Sequence, residues 1–423
     1  MWFRILVLAV GTFALGTDAF VISGILPDIA HQLNISVDLA GQLVTVFSLT
    51  YALGAPVLAT LAGNVGRKRL LLFSLSLFVA ANVLAAVATS FVVLIVARVL
   101  AAIGAALYTP TASAVAVALA PAEKRGRALS LVLTGMTVSL ILGVPLGIVI
   151  GSQFGWQMTF VLIATLSALA LVGILALFPT VANPPAIKLS TRLALLRKPT
   201  VFVTLLVTLA CIVGNFTVYT YLGPLLQQVT HLNGVGISSV FFLFGLVGLL
   251  GNAIGAYSID RWGAVRTIVP CVVVVGLAFL TLSLAATSFL TVAVAIAMWS
   301  IAGTTILPAQ QHRLIALSPE GPGVVLSLNS SAIYLGSAGG SALGGLMLRF
   351  TPLTTLGWIG SGWELIALVV LFWSVWLINR AVRRSDQSEC AIEKCDEARI
   401  VEGSGIAYKL VMIFDESLRQ LIF

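Results

Sequence analysis

Two ionisable residues lie inside long apolar segments, where charged side chains are rare. Asp18 falls in the first apolar segment and Arg98 in the fourth. An ionised carboxylate at the centre of a membrane helix costs about 2.5 to 3.5 kcal/mol on insertion scales, so a compensating role is expected. A buried carboxyl that binds and releases a proton is the group that a proton carrier needs. The alternative is an aspartate that only caps or packs a kinked helix.

The two residues are predicted to lie at similar depths. Asp18 is nine residues from Pro27, at the expected outer end of its segment, and Arg98 is eight residues from Ser90. At about 1.5 Å of rise per residue, these separations nearly match. A buried pair would hold Asp18 ionised until a bound ligand or a conformational change separates the two, which couples protonation to that change. The alternative is that Arg98 only fixes helix packing through backbone carbonyls.

Neutral hydrogen-bonding residues in later apolar segments are candidates for lining a substrate cavity. They are Asn215, Tyr219, Asn329 and Tyr334. Asn215 and Tyr219 are four residues apart and share one helix face. Glu364 is expected near the outer end of its segment, so the second half of the chain is predicted to be neutral at its centre. Interhelical hydrogen bonds in a packed bundle are the alternative role for each polar residue.

The composition of the chain predicts which secondary-structure elements hold these residues. Of 423 residues, 59% are hydrophobic and 9% are charged, whereas soluble globular chains carry roughly 25% charged residues. Segments of about 20 apolar residues, the length that crosses a bilayer as a helix, recur along the chain. The sequence predicts an all-α integral membrane protein with twelve transmembrane helices in two pseudo-symmetric six-helix bundles. The first segment contains Asp18 and leads straight into the second, so it is not interpreted as a signal peptide.

The predicted spans divide into two sets of six around a linker rich in proline and basic residues. Spans 1 to 6 are predicted at 5–27, 39–61, 70–89, 91–113, 127–150 and 158–178, and spans 7 to 12 at 201–224, 237–258, 266–286, 289–308, 324–348 and 360–379. The predicted division is 1–179 for the N-terminal bundle, 180–199 for a cytoplasmic linker, 200–380 for the C-terminal bundle and 381–423 for a cytoplasmic tail. The tail is either an amphipathic helix on the inner leaflet or an extension without a role.

An internal repeat relates the two sets. A single offset of 197 residues pairs prolines and glycines at equivalent places in the two sets. The pairs are Pro27 with Pro224, Gly66 with Gly263, Gly143 with Gly340, and Gly147 with Gly344. The same offset places Asn215 opposite Asp18. Parallel six-helix repeats with a binding site between them at mid-depth are one recognised plan of membrane transporters.

The distribution of basic residues predicts the orientation of the chain in the membrane. Segments predicted to face the cytoplasm hold all 23 Lys and Arg residues except Arg98 and Arg349, as the positive-inside rule requires. Both termini are therefore predicted to be cytoplasmic, and the net charge of +8 is not interpreted as a nucleic-acid footprint. Cys390 and Cys395 have no nearby histidine to complete a zinc set, so no metal site is expected.

Small residues recur along spans 5 and 11. Span 5 carries Gly135, Gly143, Gly147 and Gly151, which form one smooth stripe, with Pro145 adding an expected kink. Span 11 repeats the pattern with Gly336, Gly340 and Gly344. Such stripes predict close helix contact, and we expect them to allow sliding between the two halves.

At these residues the chain resembles the major facilitator superfamily, and within it the twelve-span drug:proton antiporters, over residues 1 to 380. The residues Gly66, Arg67, Lys68 and Arg69 look like the loop motif that gates the cytoplasmic side, with a second copy at Asp260, Arg261 and Gly263. Gly63 and Asn64 stand where the family usually has Asp and Arg. The usual charge relay from that loop is therefore not expected here.

Two further motifs carry the resemblance. Arg98, with Gly104 and the alanines after it, resembles the span 4 motif assigned to proton coupling. The run from Gly143 through Pro145 to Gly147 looks like the span 5 antiporter motif, which in this superfamily separates exporters from importers. The segments GTDAFVISGILPDIA and GWQMTF are similar to a subgroup of sugar, purine and chloramphenicol exporters.

The resulting hypothesis is a secondary active transporter of the inner membrane that exports small organic molecules by proton antiport and alternating access. Its expected partners are a small-molecule substrate, protons and the lipid bilayer, with no nucleic acid, no cofactor and a monomeric state. Proton-coupled uptake of a metabolite or sugar is one alternative. A receptor or regulator that does not transport is another. An enzyme is not indicated, because no nucleophile motif or nucleotide-binding loop is present.

Overall fold

The computed structural model describes residues 1–179, 194–284 and 288–402, with side chains described as far as Ala381. All regular structure in these ranges is helical. The helices of the first set are α1 Trp2–Gln32, α2 Val37–Leu61, α3 Arg67–Ala86, α4 Phe91–Leu119, α5 Arg125–Val138, α6 Val144–Phe154 and α7 Trp156–Leu177. Those of the second set are α8 Pro199–Tyr219, α9 Leu222–Thr230, α10 Gly234–Trp262, α11 Ala264–Leu284, α12 Phe289–Leu317, α13 Pro322–Leu348 and α14 Leu356–Glu402.

The apolar segments form helices of membrane-spanning length, as predicted. Among the described residues, eleven helical stretches are long and apolar enough to cross a membrane. The remaining predicted span, span 11, is present as the 27-residue helix α13. Its many glycine and serine residues lower the mean hydropathy of this helix. These small residues allow close packing against neighbouring helices. The predicted all-α membrane architecture is confirmed.

Corresponding helices of the two sets begin at the predicted offset. Four pairs of first residues are each 197 apart: Trp2 and Pro199, Val37 and Gly234, Arg67 and Ala264, and Arg125 and Pro322. The helices up to Leu371 form one compact unit, and the remainder of α14 belongs to a second. The domain boundaries drawn from the sequence stay a prediction. Most of the linker, the side chains of Cys390 and Cys395, and residues 403–423 of the tail lie outside the described residues.

Span 5 is not a regular helix. A π-helical turn at Ser139–Gly143 separates α5 from α6, and Pro145 lies just beyond it. Because proline has no N–H, the carbonyl one turn before it loses its helical partner, and a wider turn accommodates the defect. The irregularity expected at Pro145 is therefore a π-helical turn.

The glycine stripes pack within each set of helices, so the expected sliding surface between the halves is wrong. On span 5, a methyl group added at Gly135 or Gly143 would collide with atoms of α1. On α13, a methyl group at Gly340 would collide with the backbone of α8. Each stripe therefore fixes the fifth helix of a set against the first helix of the same set, and the stripe on span 5 supports α1 where it carries Asp18.

Candidate functional site

Asp18 and Arg98 form a buried ion pair. Arg98 Nη1 donates to Asp18 Oδ1 at 2.7 Å, and Nη2 donates to the backbone carbonyl oxygen of Asp18 at 3.3 Å. The side chains are 0% and 1% exposed. Helices α1 and α4 thus bring together the two residues that the sequence placed at one depth.

The pair keeps unsatisfied hydrogen-bonding capacity. Asp18 Oδ2 and Arg98 Nε are buried without a hydrogen-bond partner in the described structure. The guanidinium carbon of Arg98 lies 4.4 Å from the ring centroid of Phe47 on α2, an arrangement in which the ring face attracts the cation. The pair is therefore strong enough to form but incompletely bonded, which suits an interaction that must be broken and remade.

The antiporter-like motif of span 5 lies directly behind this pair. A methyl group at Gly143 would collide with Thr17, the neighbour of Asp18, and one at Gly147 would lie 2.7 Å from Val21. Ser238 of α10 donates its hydroxyl to the carbonyl oxygen of Pro145 at 2.8 Å. The motif therefore contacts both the turn of α1 that carries Asp18 and the second set of helices.

The second set has its own buried carboxyl, so the expectation of a neutral centre is wrong. Glu364 of α14 is 1% exposed, and its Oε1 accepts a hydrogen bond from Asn215 Nδ2 at 3.1 Å. Trp299 Nε1 of α12 donates to Asn215 Oδ1 at 2.6 Å. Because α14 begins at Leu356, Glu364 lies about 12 Å along the helix rather than near its end.

The internal repeat also gives information on the position of Glu364. The offset of 197 residues pairs Glu364 with Ser167 of α7, while Asn215 pairs with Asp18. Ser167 is fully buried, and its hydroxyl donates to the carbonyl oxygen of Ile163 on its own helix. Because Ser167 lies well inside predicted span 6, 158–178, the repeat indicated from sequence that Glu364 is not near a helix end.

Tyr219 lies among aromatic rings beside this network. Its ring centroid is 5.6 to 6.2 Å from those of Phe20, Phe241, Phe244 and Trp299. The Tyr219 hydroxyl is buried without a hydrogen-bond partner in the described structure. Phe20 belongs to α1, so this aromatic cluster joins the two sets of helices.

The other two predicted cavity residues lie elsewhere. Asn329 is 1% exposed, and its Oδ1 accepts from Thr208 at 2.9 Å. Gln310 donates to the same threonine at 3.3 Å. Tyr334 stacks on Tyr51 of α2 with ring centroids 3.7 Å apart. Asn329 therefore makes an interhelical hydrogen bond, the alternative left open above, and Tyr334 lies at the contact between the sets.

The first predicted gating loop is mostly half-buried, with Arg69 exposed, and the second, at Asp260, Arg261 and Gly263, is exposed. Lys68 Nζ donates to the carbonyl oxygens of Leu175 and Phe178, at 3.1 and 2.6 Å, and so caps the C-terminal end of α7. In the second copy, Arg261 donates to the hydroxyl of Tyr257 on its own helix. Gly263 has φ of 82°, a value that glycine adopts without strain. The first loop is fixed to a neighbouring helix, while the bonds of the second are local.

The polar contacts between the two sets lie toward one end. Ser48 and Ser337 share a hydrogen bond of 2.8 Å, and Arg349 pairs with Asp38 at 3.0 Å. With Ser238 to Pro145, the stacked pair Tyr51 and Tyr334, and the rings around Phe20, these contacts occupy the predicted outer and middle parts of the helices.

Known proteins resemble this chain in sequence and in fold. The profile of the Major Facilitator Superfamily matches residues 8–282. The chain is 38% identical over 366 residues to the uncharacterized MFS-type transporter YbcL of Bacillus subtilis, covering 86% of this chain and 94% of that protein. It is 30% identical over 378 residues to the inner membrane transport protein YdhP of Escherichia coli K12, covering 88% and 96%. The crystal structure of a D-xylose-proton symporter superposes with a TM-score of 0.70 at 16% identity, covering 87% of this chain and 97% of that one.

Proposed function

This chain belongs to the major facilitator superfamily, and from that premise we propose that it exports small organic molecules across the inner membrane in exchange for protons. The observation that carries the proposal is the ion pair of Asp18 and Arg98. It is buried, it is incompletely hydrogen-bonded, and it lies against the antiporter-like motif of span 5.

The geometry supports a coupled cycle. While Asp18 is ionised, Arg98 is bound to it across α1 and α4. When Asp18 takes up a proton it loses its charge, the attraction to Arg98 weakens, and the two helices are free to separate. The carbonyl of Pro145 links the same region to α10, so a movement at the pair is transmitted to the contact between the sets. Protonation and the rearrangement of the halves are then one event.

The distribution of contacts supports alternating access. Hydrogen bonds and ring contacts join the sets at their predicted outer and middle parts, which corresponds to a transporter closed to the outside. In the proposed cycle the aromatic cluster of Tyr219 and Trp299, which is closed in this conformation, would offer ring contacts to an uncharged or weakly polar organic substrate once the halves rearrange, and Asn215 would offer hydrogen bonds.

The test is transport in proteoliposomes with an imposed pH gradient. Labelled sugars, purines and amphenicols are presented to vesicles that are acidic inside. An antiporter accumulates its substrate under this gradient, whereas a proton symporter accumulates it only when the outside is acidic. We expect accumulation of at least one compound in acidic vesicles, and loss of that accumulation in Asp18→Asn, which still exchanges labelled for unlabelled substrate without a gradient.

The matched control is Asp28→Asn, which changes an exposed aspartate further along α1 and is expected to behave as wild type. Accumulation by Asp18→Asn at the wild-type level would refute the assignment of the proton to Asp18. Accumulation only with acid outside would replace export by uptake, and failure of every compound to move under either gradient would favour a receptor or regulator.

A further inference from the structure

Glu364 is a buried carboxyl that has no cationic partner. Its Oε1 is bonded to Asn215 Nδ2 at 3.1 Å, while Oε2 is buried without a hydrogen-bond partner in the described structure. Within the described residues the ion pairs are Asp18 with Arg98 and Asp38 with Arg349, so Glu364 takes part in none. A carboxylate buried without a cation is strongly disfavoured, and the group carries a proton instead.

The described groups packed around Glu364 carry no positive charge. From α8 it faces Cys211 and Asn215. From α11 it faces Gly276, where an added methyl group would lie 3.7 Å from Glu364 Cβ. From α12, Trp299 reaches it only through Asn215. Cys211 is thus the titratable neighbour among the described residues, and a thiol supplies no positive charge.

The network around Glu364 has an accessible end. Asn215 is half-buried, and so is Gly303 beside it, whereas Glu364 and Trp299 are each 1% exposed. Asn215 is therefore a hydrogen-bond partner of Glu364 that keeps some accessible surface. A rotation of its amide away from Oε1 would open the short path that water needs to reach Glu364.

From this arrangement we infer that Glu364 is a second proton-binding site, in the second set of helices, which exchanges its proton with water when Asn215 moves aside. In the loading step a hydronium ion gives its proton to Glu364, an O–H bond forms at Oε2, and water is released. In the unloading step that bond breaks and the proton returns to water. The use of this proton in transport rests on the proposed function, whereas the exchange itself does not.

The exchange is tested by infrared difference spectroscopy of the purified protein in lipid, across a pH titration. The measurement uses an Asp18→Asn background, so that Glu364 is the intramembrane acid that remains in the described helices. We expect a carbonyl band of a protonated carboxyl that shifts in D₂O and disappears at high pH. The band should be lost in Glu364→Gln and kept in Glu320→Gln, a change of an exposed glutamate.

Two results would overturn the inference. One is a band that survives in Glu364→Gln, because the protonated carboxyl would then be a different residue. The other is a band that neither shifts in D₂O nor changes with pH up to the point of unfolding, which describes a permanently neutral acid. Since the pH response and the D₂O shift are also measured without the Glu364 substitution, poor folding of Glu364→Gln does not block the test.

A transport measurement distinguishes failure of this inference from failure of the proposed function. Protons moved per substrate are counted with a pH-sensitive dye in proteoliposomes of wild type and Glu364→Gln. Fewer protons per substrate in the variant support a role for Glu364 in coupling. An unchanged ratio removes that role, and a wild type that moves no protons defeats the proposed function while the infrared result still stands.

Discussion

The centres of the two helix sets share a scaffold but differ in their chemistry. In the first set, Arg98 lies over the ring of Phe47 and is paired with Asp18. The repeat mate of Phe47 is Phe244, whose ring centroid lies 5.1 Å from that of Trp299 in the second set. An aromatic ring from span 2 of the first set and from span 8 of the second thus supports the central group, which is a guanidinium in one set and an indole in the other.

The two sets also carry their buried carboxyls on different spans. In the first set the carboxyl is Asp18 on span 1. In the second set it is Glu364 on span 12, and Asn215 occupies the position that corresponds to Asp18. One carboxyl has a cation and the other has an amide. Proton uptake removes a charge attraction at Asp18, whereas at Glu364 it only completes a neutral network. The two centres therefore differ in what a proton would change, which is an ion pair in the first set and a hydrogen-bonded network in the second.

The largest effect that tests this contrast is expected from Arg98→Met. The substitution leaves Asp18 buried without its cation, and breaking a buried pair from one side costs about 3 to 5 kcal/mol. The free energy of unfolding should fall by that amount when measured in mixed micelles with increasing denaturing detergent. Adding Asp18→Asn to Arg98→Met removes the orphaned charge and should restore much of the loss.

The control for Arg98→Met is Arg349→Met. Arg349 also pairs with an aspartate, but its side chain is 59% exposed, and exposed pairs contribute about 0 to 1 kcal/mol. Equal losses from the two arginine variants would show that the buried pair carries no special energy, and the contrast between the helix sets would lose its basis.

A smaller effect is expected from Trp299→Phe, which tests whether the second centre is a hydrogen-bonded network. The change removes the donor to Asn215 Oδ1, and a buried group left unsatisfied costs about 1 to 3 kcal/mol. Trp156→Phe is the matched control, because the Trp156 side chain is equally buried while its Nε1 has no partner in the described structure. Trp299→Phe should destabilise the protein more than Trp156→Phe in the same unfolding measurement, and equal losses would reduce the indole's role to packing.

Much of this architecture was accessible from sequence. In a bilayer the backbone must satisfy its own hydrogen bonds, so apolar length alone predicted the helices, and the offset of 197 residues related the two sets. The pairing of Asp18 with Arg98 followed from similar depth and from Arg98 being the basic residue in the interior of a predicted span, whereas Arg127 and Arg266 lie at the first residue of theirs.

The errors concern which face of a helix meets which neighbour. Glu364 was placed near an end because the predicted span began at residue 360, four residues after Leu356, and because spacing does not reveal that this side of α14 faces Asn215. The glycine stripes predicted close contact correctly but not the partner, since a smooth surface fits a helix of its own set as well as one of the other. Both errors depend on tertiary packing that a single helix does not encode.

The smallest effect is expected at the loop of the first set. Lys68 caps α7, which ends at Leu177, but its repeat mate is Val265, and the corresponding helix α14 continues to Glu402. A cation at a helix C-terminus contributes about 0.3 to 1 kcal/mol. Lys68→Met should therefore lower the free energy of unfolding by that amount, and Lys68→Arg by less. Arg69→Met, a change of an exposed neighbour, should have almost no effect. Equal losses from Lys68→Met and Arg69→Met would show that the contact of Lys68 with α7 does not stabilise the protein. The two loops would then not differ in their contribution to stability.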